Sequence, residues 1–351
     1  MLYAGIDEAG YGPLLGPLCV ALCAIEVPWT EGEAAPDVWK LLSASVCKSP
    51  GKAGRGRTKI AVNDSKKLKL ANSVKTRHPL VHLERGVLAF DALRDGVDGA
   101  EPDQTTDDML FSRLGAALDG SAWYAGEPAR LPVGSTADQQ RLLNLHLASS
   151  CEKAGVVLHE LSCSALCESE FNARLRGSGL ADSRRDPDAR AESKAAVSFG
   201  VVGTLLRRVW EHEASIGDAG VPPRVVVDRQ GGRAAYAPQL ERIFPDAIVR
   251  ALGDTATRSV YDIEGLGTAA GRRMRVSFQV EAEQSHFPVA LASMTAKLVR
   301  ELAMARFNRY WCGRIAELKP TAGYALDGER WIRDARPVLG DDLVRSLRRL
   351  A

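Results

Sequence analysis

No run of apolar residues in this chain approaches the roughly 18 that a helix needs to cross a bilayer, so a membrane span is not expected. The N-terminus carries Asp7 and Glu8 where a secretory signal would carry basic residues and then a long apolar stretch, and a cytoplasmic protein is the expectation. Charge of one sign is also missing. The 46 Lys and Arg against 44 Asp and Glu leave a formal net charge of +2, so any preference for a charged partner must come from local clusters. There is no internal repeat. The seven cysteines cannot all pair, and without a secretory pattern they read as reduced thiols. Zinc held by Cys19, Cys23, Cys163 and Cys167 is conceivable, but no histidine stands at ligand spacing, and four small buried hydrophobes is the simpler reading. What remains is an ordinary globular composition, 45% hydrophobic and 26% charged over 351 residues, enough for one large domain or two small ones.

The stretch "GIDEAGYGPLLGP" (5–17) poses the first chemical question. Leu2 to Ile6 is short and apolar and predicts a buried strand, so Asp7 and Glu8 stand at its end, before a turn rich in Gly and Pro. Adjacent carboxylates in a half-buried place repel each other and resist desolvation, which calls for a cation. Residues 17–27 predict a second strand, antiparallel to the first. "KSPGKAGRGRTK" (48–59) has five basic residues and no acid, and reads either as a solvated loop or as a phosphate contact. Residues 90–150 look polar and weakly structured. A strand and a helix start are predicted within 158–175, a polar loop over 177–194, a helix from Ser193 to Trp210, and a β-branched strand "RVVVD" (224–228) ending in an acid. The strongest helix is 288–311, with Pro288 in its first turn. Alternating helices and strands with antiparallel strands at the start predict a mixed-sheet α/β domain, whose ligands sit at the carboxyl ends of strands. Asp7 and Asp228 both occupy such ends. With Glu8, and with Glu281 or Glu283 before the long helix, they supply hard oxygen ligands suited to Mg²⁺ or Mn²⁺. "DSKK", Lys297 and Arg300 would then hold phosphates. Taken singly, each such Asp could as well be a turn former or a helix cap.

Four segments resemble the type 2 ribonucleases H, the ribonuclease HII and HIII group, in the family's order. "GIDEAGYGPLLGP" is similar to G-I-D-E-A-G-R/K-G-P, "NDSKKL" (63–68) to a second motif, "ALASMTAKLVRELAM" (290–304) to the A-A-S-I-x-A-K-V-x-R-D helix, and "KPTAGYALDGERW" (319–331) to the K-G-Y-G-T segment. The resemblance leaves 90–150 and 230–275 unaccounted for. It implies a ribonuclease H-like fold, a five-stranded mixed sheet flanked by helices, with a catalytic domain over 1–312, inserts near 48–59, 90–150 and 177–192, and a C-terminal helical segment over 313–351. It further implies four metal ligands, which fall on Asp7, Glu8, Asp228 and an acid ten residues before Ser293. That acid is Glu283, where ribonuclease HII has Asp, and Glu281 is the fallback.

The same resemblance implies substrate contacts from Gly10, Tyr11, Gly12, Ser65, Lys66, Lys67, Ser293, Lys297 and Tyr324. Tyr11 departs from the family's Arg or Lys at the place where the ribose 2′-hydroxyl is read; its ring can stack or donate one hydrogen bond but cannot neutralise a phosphate. Cleavage at a lone ribonucleotide is therefore expected to be poor compared with a longer hybrid. The activity implied is metal-dependent endonucleolytic hydrolysis of the RNA strand of RNA–DNA hybrids, leaving 5′-phosphate and 3′-hydroxyl ends, by a monomer with two Mg²⁺ or Mn²⁺ ions. The rival is a nucleic-acid-binding protein of the same fold whose nuclease activity is lost or retargeted.

Overall fold

The computed structural model describes residues 1–30, 35–50, 59–95, 105–177, 193–216, 221–229, 233 and 235–350. In chain order the elements are β1 (Leu2–Ala9), β2 (Leu18–Glu26), α1 (Val38–Leu41), β3 (Val46–Cys47), β4 (Ile60–Ala61), α2 (Ser65–Leu68), α3 (Val81–Ala92), α4 (Asp107–Leu114) and α5 (Ala137–Ala154). They continue with β5 (Val157–Leu166), α6 (Glu168–Leu175), α7 (Lys194–Ile216), β6 (Arg224–Asp228), α8 (Ala237–Ile243), β7 (Ala247–Asp254), β8 (Arg258–Gly265), β9 (Arg273–Gln279), α9 (Phe287–Cys312) and α10 (Ala325–Leu347).

The fold is the mixed α/β class that the alternation of elements predicts. One sheet runs β5-β2-β1-β6-β9-β8-β7. The β1–β2 pair is antiparallel, as the short glycine turn requires, whereas β1–β6 and β6–β9 are parallel. The expected five strands become seven because β7 and β8 form an antiparallel hairpin beyond β9, within residues 230–275. Most of β7 is exposed at the sheet edge, so it lacks the apolar alternation by which a strand announces itself.

Residues 90–150 also differ from expectation. They hold α4 and most of α5, capped at their starts by Thr106 and Thr136, whose hydroxyls accept from the amides of Met109 and Gln139. Buried ions tie this region in: Arg306 grips Asp107 at 2.8 and 2.5 Å, and Glu84, fully buried, accepts from the amides of Val133 and Gly134. The polar character that suggested an insert belongs partly to these internal partners. Of the expected insert at 177–192, residues 178–192 lie outside the described residues, as do 51–58 of the basic loop. The loop's described ends fold back on the protein: Lys48 donates to the Gln284 carbonyl, and Lys59 to that of Ser43.

Two apolar layers sandwich the sheet. One, with Cys23, Phe90, Phe287 and Leu291, lies between the sheet and α3 and α9. The other packs Leu22, Phe199, Leu205 and Phe278 under α7. Helix α9 is buried on nearly all sides, and its start presses on β1 so closely that a Cβ at Gly5 would sit 2.2 Å from the Val289 nitrogen. A third core joins the second half of α9 to α10 through Phe307, Trp311 and Trp331. All seven cysteines are free; Cys19, Cys23 and Cys163 belong to the first core and Cys167 to the third. Among the described residues no helix is long and apolar enough to cross a membrane.

Candidate active site

Because β1 and β6 are parallel neighbours, their carboxyl ends meet at one edge. The register pairs Ile6 with Val227, which sets Asp7 beside Asp228. Behind β9 the chain makes a single 3-10 turn, Ala282–Gln284, and the Ala282 amide donates to Asp228 Oδ1 at 3.0 Å. This turn carries Glu283 inward, 7% exposed, whereas Glu281 at its start adopts a positive φ of 53° and points to solvent, accepting from Gln284. Of the two candidates for the fourth acid, Glu283 is the one brought into the cluster.

The electrostatics show how crowded this edge is. Burial, then the charges of Asp228 and Glu8, push the Asp7 carboxyl well above its usual range, against hydrogen bonds from Ser293 and the Glu8 amide. Asp228 is raised by burial, and Glu283 by burial together with Asp228 and Asp64. Asp228 and Glu283 are close enough for each carboxyl to act on the ionisation of the other. Lys66, exposed at the edge of the cluster, is a cation that these carboxylates act on. Burial opposes its charge, yet Asp64, Asp7, Glu283 and Asp228 together raise its pKa. Its helix is placed by Ser65, whose hydroxyl meets that of Ser293 at 3.0 Å, and by Asp64, which caps it by accepting from the Lys66 amide. Lys67 is exposed beside it.

Asp64 is thus a fifth acid at the site, inside a motif whose lysines drew attention first. Glu8 lies on the other face of β1, as strand alternation dictates, close enough to act on both Asp7 and Tyr11. The donor set is all oxygen and short of positive charge, which fits a hard divalent ion. The carboxylates are neighbours and not yet a chelate: among the described residues, no group of three or more His, Cys, Asp or Glu is gathered as a metal site.

The turn that follows β1 rests on two buried arginines. Gly10 has φ of 92°, and a Cβ there would lie 2.6 Å from Arg300 Nε. Arg300 is fully buried and donates to the carbonyls of Leu15 and Ala322, which corrects its expected role as a phosphate contact: its guanidinium has no route to solvent. Arg349, 1% exposed, donates to the carbonyls of Gly10 and Pro13 at 2.5 Å and of Tyr11 at 3.4 Å, while its own amide bonds the Leu14 carbonyl. In a trans peptide the C=O and N–H point opposite ways, so drawing the Gly10 and Tyr11 carbonyls inward turns the Tyr11 and Gly12 amides outward.

Tyr11 packs partly on the second core, and Lys194 at the start of α7 lies 5.2 Å over its ring. The cation that the triplet lacks is therefore close by on another element. Tyr324, 41% exposed, covers Arg300 and Lys297 at 5.1 and 5.6 Å. Lys297 is 2.9 Å from Glu301, so its charge is already paired. Sequence reasoning missed Asp64, Lys194 and Arg349. Asp64 was legible as an acid beside Lys66; the other two meet the turn only through the tertiary fold.

Fold and site together define a class: a mixed-sheet α/β chain with a carboxylate cluster at the ends of two parallel central strands and a glycine turn beside it. Its sequence resembles the type 2 ribonucleases H, and solved structures of that group align with it along nearly its whole length. The structure of the PCNA:RNase HII complex from Archaeoglobus fulgidus aligns over 100% of this chain and 94% of that one, at 14% identity and a TM-score of 0.43. Ribonuclease H2 from Pyrococcus horikoshii OT3 aligns over 97% and 90%, at 14% identity and a TM-score of 0.35. RNase H3 from Aquifex aeolicus aligns over 94% and 67%, at 14% identity and 0.34. No family model and no curated protein matches the chain.

Proposed function

We propose that this protein is an endonuclease of the ribonuclease H type that hydrolyses the RNA strand of RNA–DNA hybrids with Mg²⁺ or Mn²⁺, leaving 5′-phosphate and 3′-hydroxyl ends. The observation that carries this reading is the meeting of Asp7, Asp228 and Glu283, from three distant segments, at one strand edge with Lys66 beside them. Asp7, Glu8, Asp228 and Glu283 would hold the metal, with Asp64 bordering them. A divalent ion bound there lowers the pKa of a water and stabilises charge on a leaving oxygen. The chain's own residues do the rest. Lys66 and Lys67 face the phosphates; Ser293 and Ser65 orient Asp7 and the lysine helix. The outward amides of Tyr11 and Gly12 meet the ribose, with the Tyr11 ring beside it and Lys194 supplying the charge. Tyr324 offers an exposed ring for the neighbouring sugar. The catalytic unit spans 1–312, and the segment from 313 onward carries Arg349 back to hold the reading turn.

A second reading, a nucleic-acid binder of the same fold without this activity, draws support from Tyr11, where the resembled family has Arg or Lys, and from Glu283, where ribonuclease HII has Asp. Labelled RNA–DNA hybrid, RNA duplex, DNA duplex and single-ribonucleotide duplex, each incubated with Mn²⁺ and with chelator, separate the two. Metal-dependent cutting of the hybrid is the expected result; binding without cleavage of any substrate would establish the second reading.

A further inference from the structure

A pocket of about 90 Å³ lies on the sheet behind the start of α9, with Tyr3, Arg224, Arg258, Arg275, Gln279 and His286 among its walls. By volume it has room for several waters. It is built by strand register. Arg224 and Arg275 are direct partners on β6 and β9, and Arg258 pairs with Gln279 across β8 and β9. Strand alternation puts Arg224 on the same face as Asp228, four residues and roughly 13 Å away at the usual strand rise.

The pocket is rich in positive charge. Arg275 is held by Asp262 through bonds of 2.6 and 2.8 Å. Arg224 sits over the Trp29 ring, 4.5 Å from its centre. Among the described residues no carboxylate forms an ion pair with Arg224 or Arg258. His286 is oriented and neutral. Its Nε2 donates to the Gln279 side-chain oxygen at 3.0 Å, and its Nδ1 accepts from the Tyr3 hydroxyl at 2.5 Å. Burial and the Arg258 charge lower its pKa to about 4, and burial followed by Arg275 and Arg258 lowers that of Arg224.

The geometry points to a phosphate-binding pocket formed by Arg224 and Arg258, with Arg275 held at its wall by Asp262, which takes a backbone phosphate of the nucleic acid away from the acid cluster. Arginine suits this because its planar fork binds phosphate oxygens in pairs. The backbone as the source of the phosphate rests on the function proposed above; the pocket's taste for phosphate does not.

The experiment measures affinity for a labelled RNA–DNA hybrid in chelator, over a series of salt concentrations, and separately titrates inorganic phosphate by calorimetry. The proteins are the natural chain, the double variant Arg224→Gln/Arg258→Gln, the charge-keeping pair Arg224→Lys/Arg258→Lys, and Arg273→Gln, an exposed control at the same end of the sheet. The proposal expects the Gln pair to lower hybrid affinity five- to tenfold and to flatten the salt slope by about one. The Lys pair should recover most of that slope, which also guards against misfolding as the cause, and the control should change little. A slope unchanged in the Gln pair, or lowered equally by Arg273→Gln, overturns the backbone assignment. If the natural chain binds no hybrid, the proposed function fails on its own account; phosphate binding lost in the Gln pair still supports the pocket, and no phosphate binding by any of the four proteins overturns it.

Discussion

The two sides of the end of β1 handle charge in opposite ways. On one side Asp7, Asp228 and Glu283 crowd together with Lys66 as a nearby cation; burial raises all three carboxyls, and neighbouring carboxylates raise Asp7 and Glu283 further. On the other side Arg300 and Arg349 are buried, among the described residues no carboxylate forms an ion pair with either, and backbone carbonyls satisfy part of each guanidinium. Burial and the neighbouring Arg300 lower Arg349 to about 10, a value that still leaves it charged at neutral pH. The carboxylates are deficient in positive charge that only something from outside can supply, whereas the arginines are built into the turn. The first arrangement is reactive and the second is structural, although they are separated by only a few residues of chain.

Substitutions on the two sides should therefore diverge. The largest effect on activity is expected from Asp7→Asn, which removes a metal charge and almost no volume: cleavage of the hybrid should fall at least a hundredfold, with the melting temperature unchanged or raised because a crowded carboxylate is gone. A loss of stability in this variant would break the comparison. Arg349→Met should do the reverse. It leaves the carbonyls of Gly10 and Pro13 unpaired in a buried place, a cost of about 1–3 kcal/mol, so the protein should melt several degrees lower and lose activity in step with the disorder of the turn. Thermal melts of the two variants beside the natural chain decide the matter.

Within the acid side the sharper test is positional. Glu283→Gln should be far more damaging to metal-dependent cleavage than Glu281→Gln, since only Glu283 is turned into the cluster; the opposite ranking would move the fourth ligand two residues back. On the turn side, Lys194→Gln should reduce cleavage at a single ribonucleotide about tenfold and affect longer hybrids less, the loss of one charge-assisted contact being worth about 1.5–3 kcal/mol. Equal rates for the two proteins on both substrates would return Tyr11 and the backbone to sole charge of ribose reading.

The effect smallest at neutral pH is one of pH on stability. His286 has a folded pKa of about 4 against 6.5 when unfolded. Below pH 6.5 the unfolded chain takes up the proton first, so His286 withdraws stability progressively between 6.5 and about 4 and has no such effect above that window, to a limit of about 3 kcal/mol. Denaturant melts of the natural chain and of His286→Gln should converge at neutral pH in their slope against pH, and differ in that window. Identical slopes against pH for the natural chain and His286→Gln between pH 6.5 and 4.5 would show that His286 is not held neutral.

Much of the fold and part of the site could be read in advance, for local reasons. The apolar run before Asp7, the β-branched "RVVVD" and Pro288 at the head of a long apolar helix are signals contained within a few residues, and the elements stand where those signals put them. The β7–β8 hairpin was not legible because an exposed edge strand has little apolar alternation. The helices of 90–150 were obscured by acids whose partners, such as Arg306 for Asp107, lie far along the chain.

The sequence by itself determined which acids end strands, which helix carries Ser293, and where glycine frees the turn, because strand periodicity, helix starts and positive φ are written in neighbouring residues. Only the tertiary structure decided which acids meet. It turned Glu283 inward and Glu281 outward through one 3-10 turn, brought Asp64 and Lys66 to Asp7 by a contact between two serines, and set Lys194 over Tyr11 and Arg349 beneath Gly10 from elements more than 180 residues away. The reason is that charge acts through space: a carboxylate's ionisation and a guanidinium's partners depend on what the folded chain places within a few ångströms, and spacing along the sequence carries no record of that.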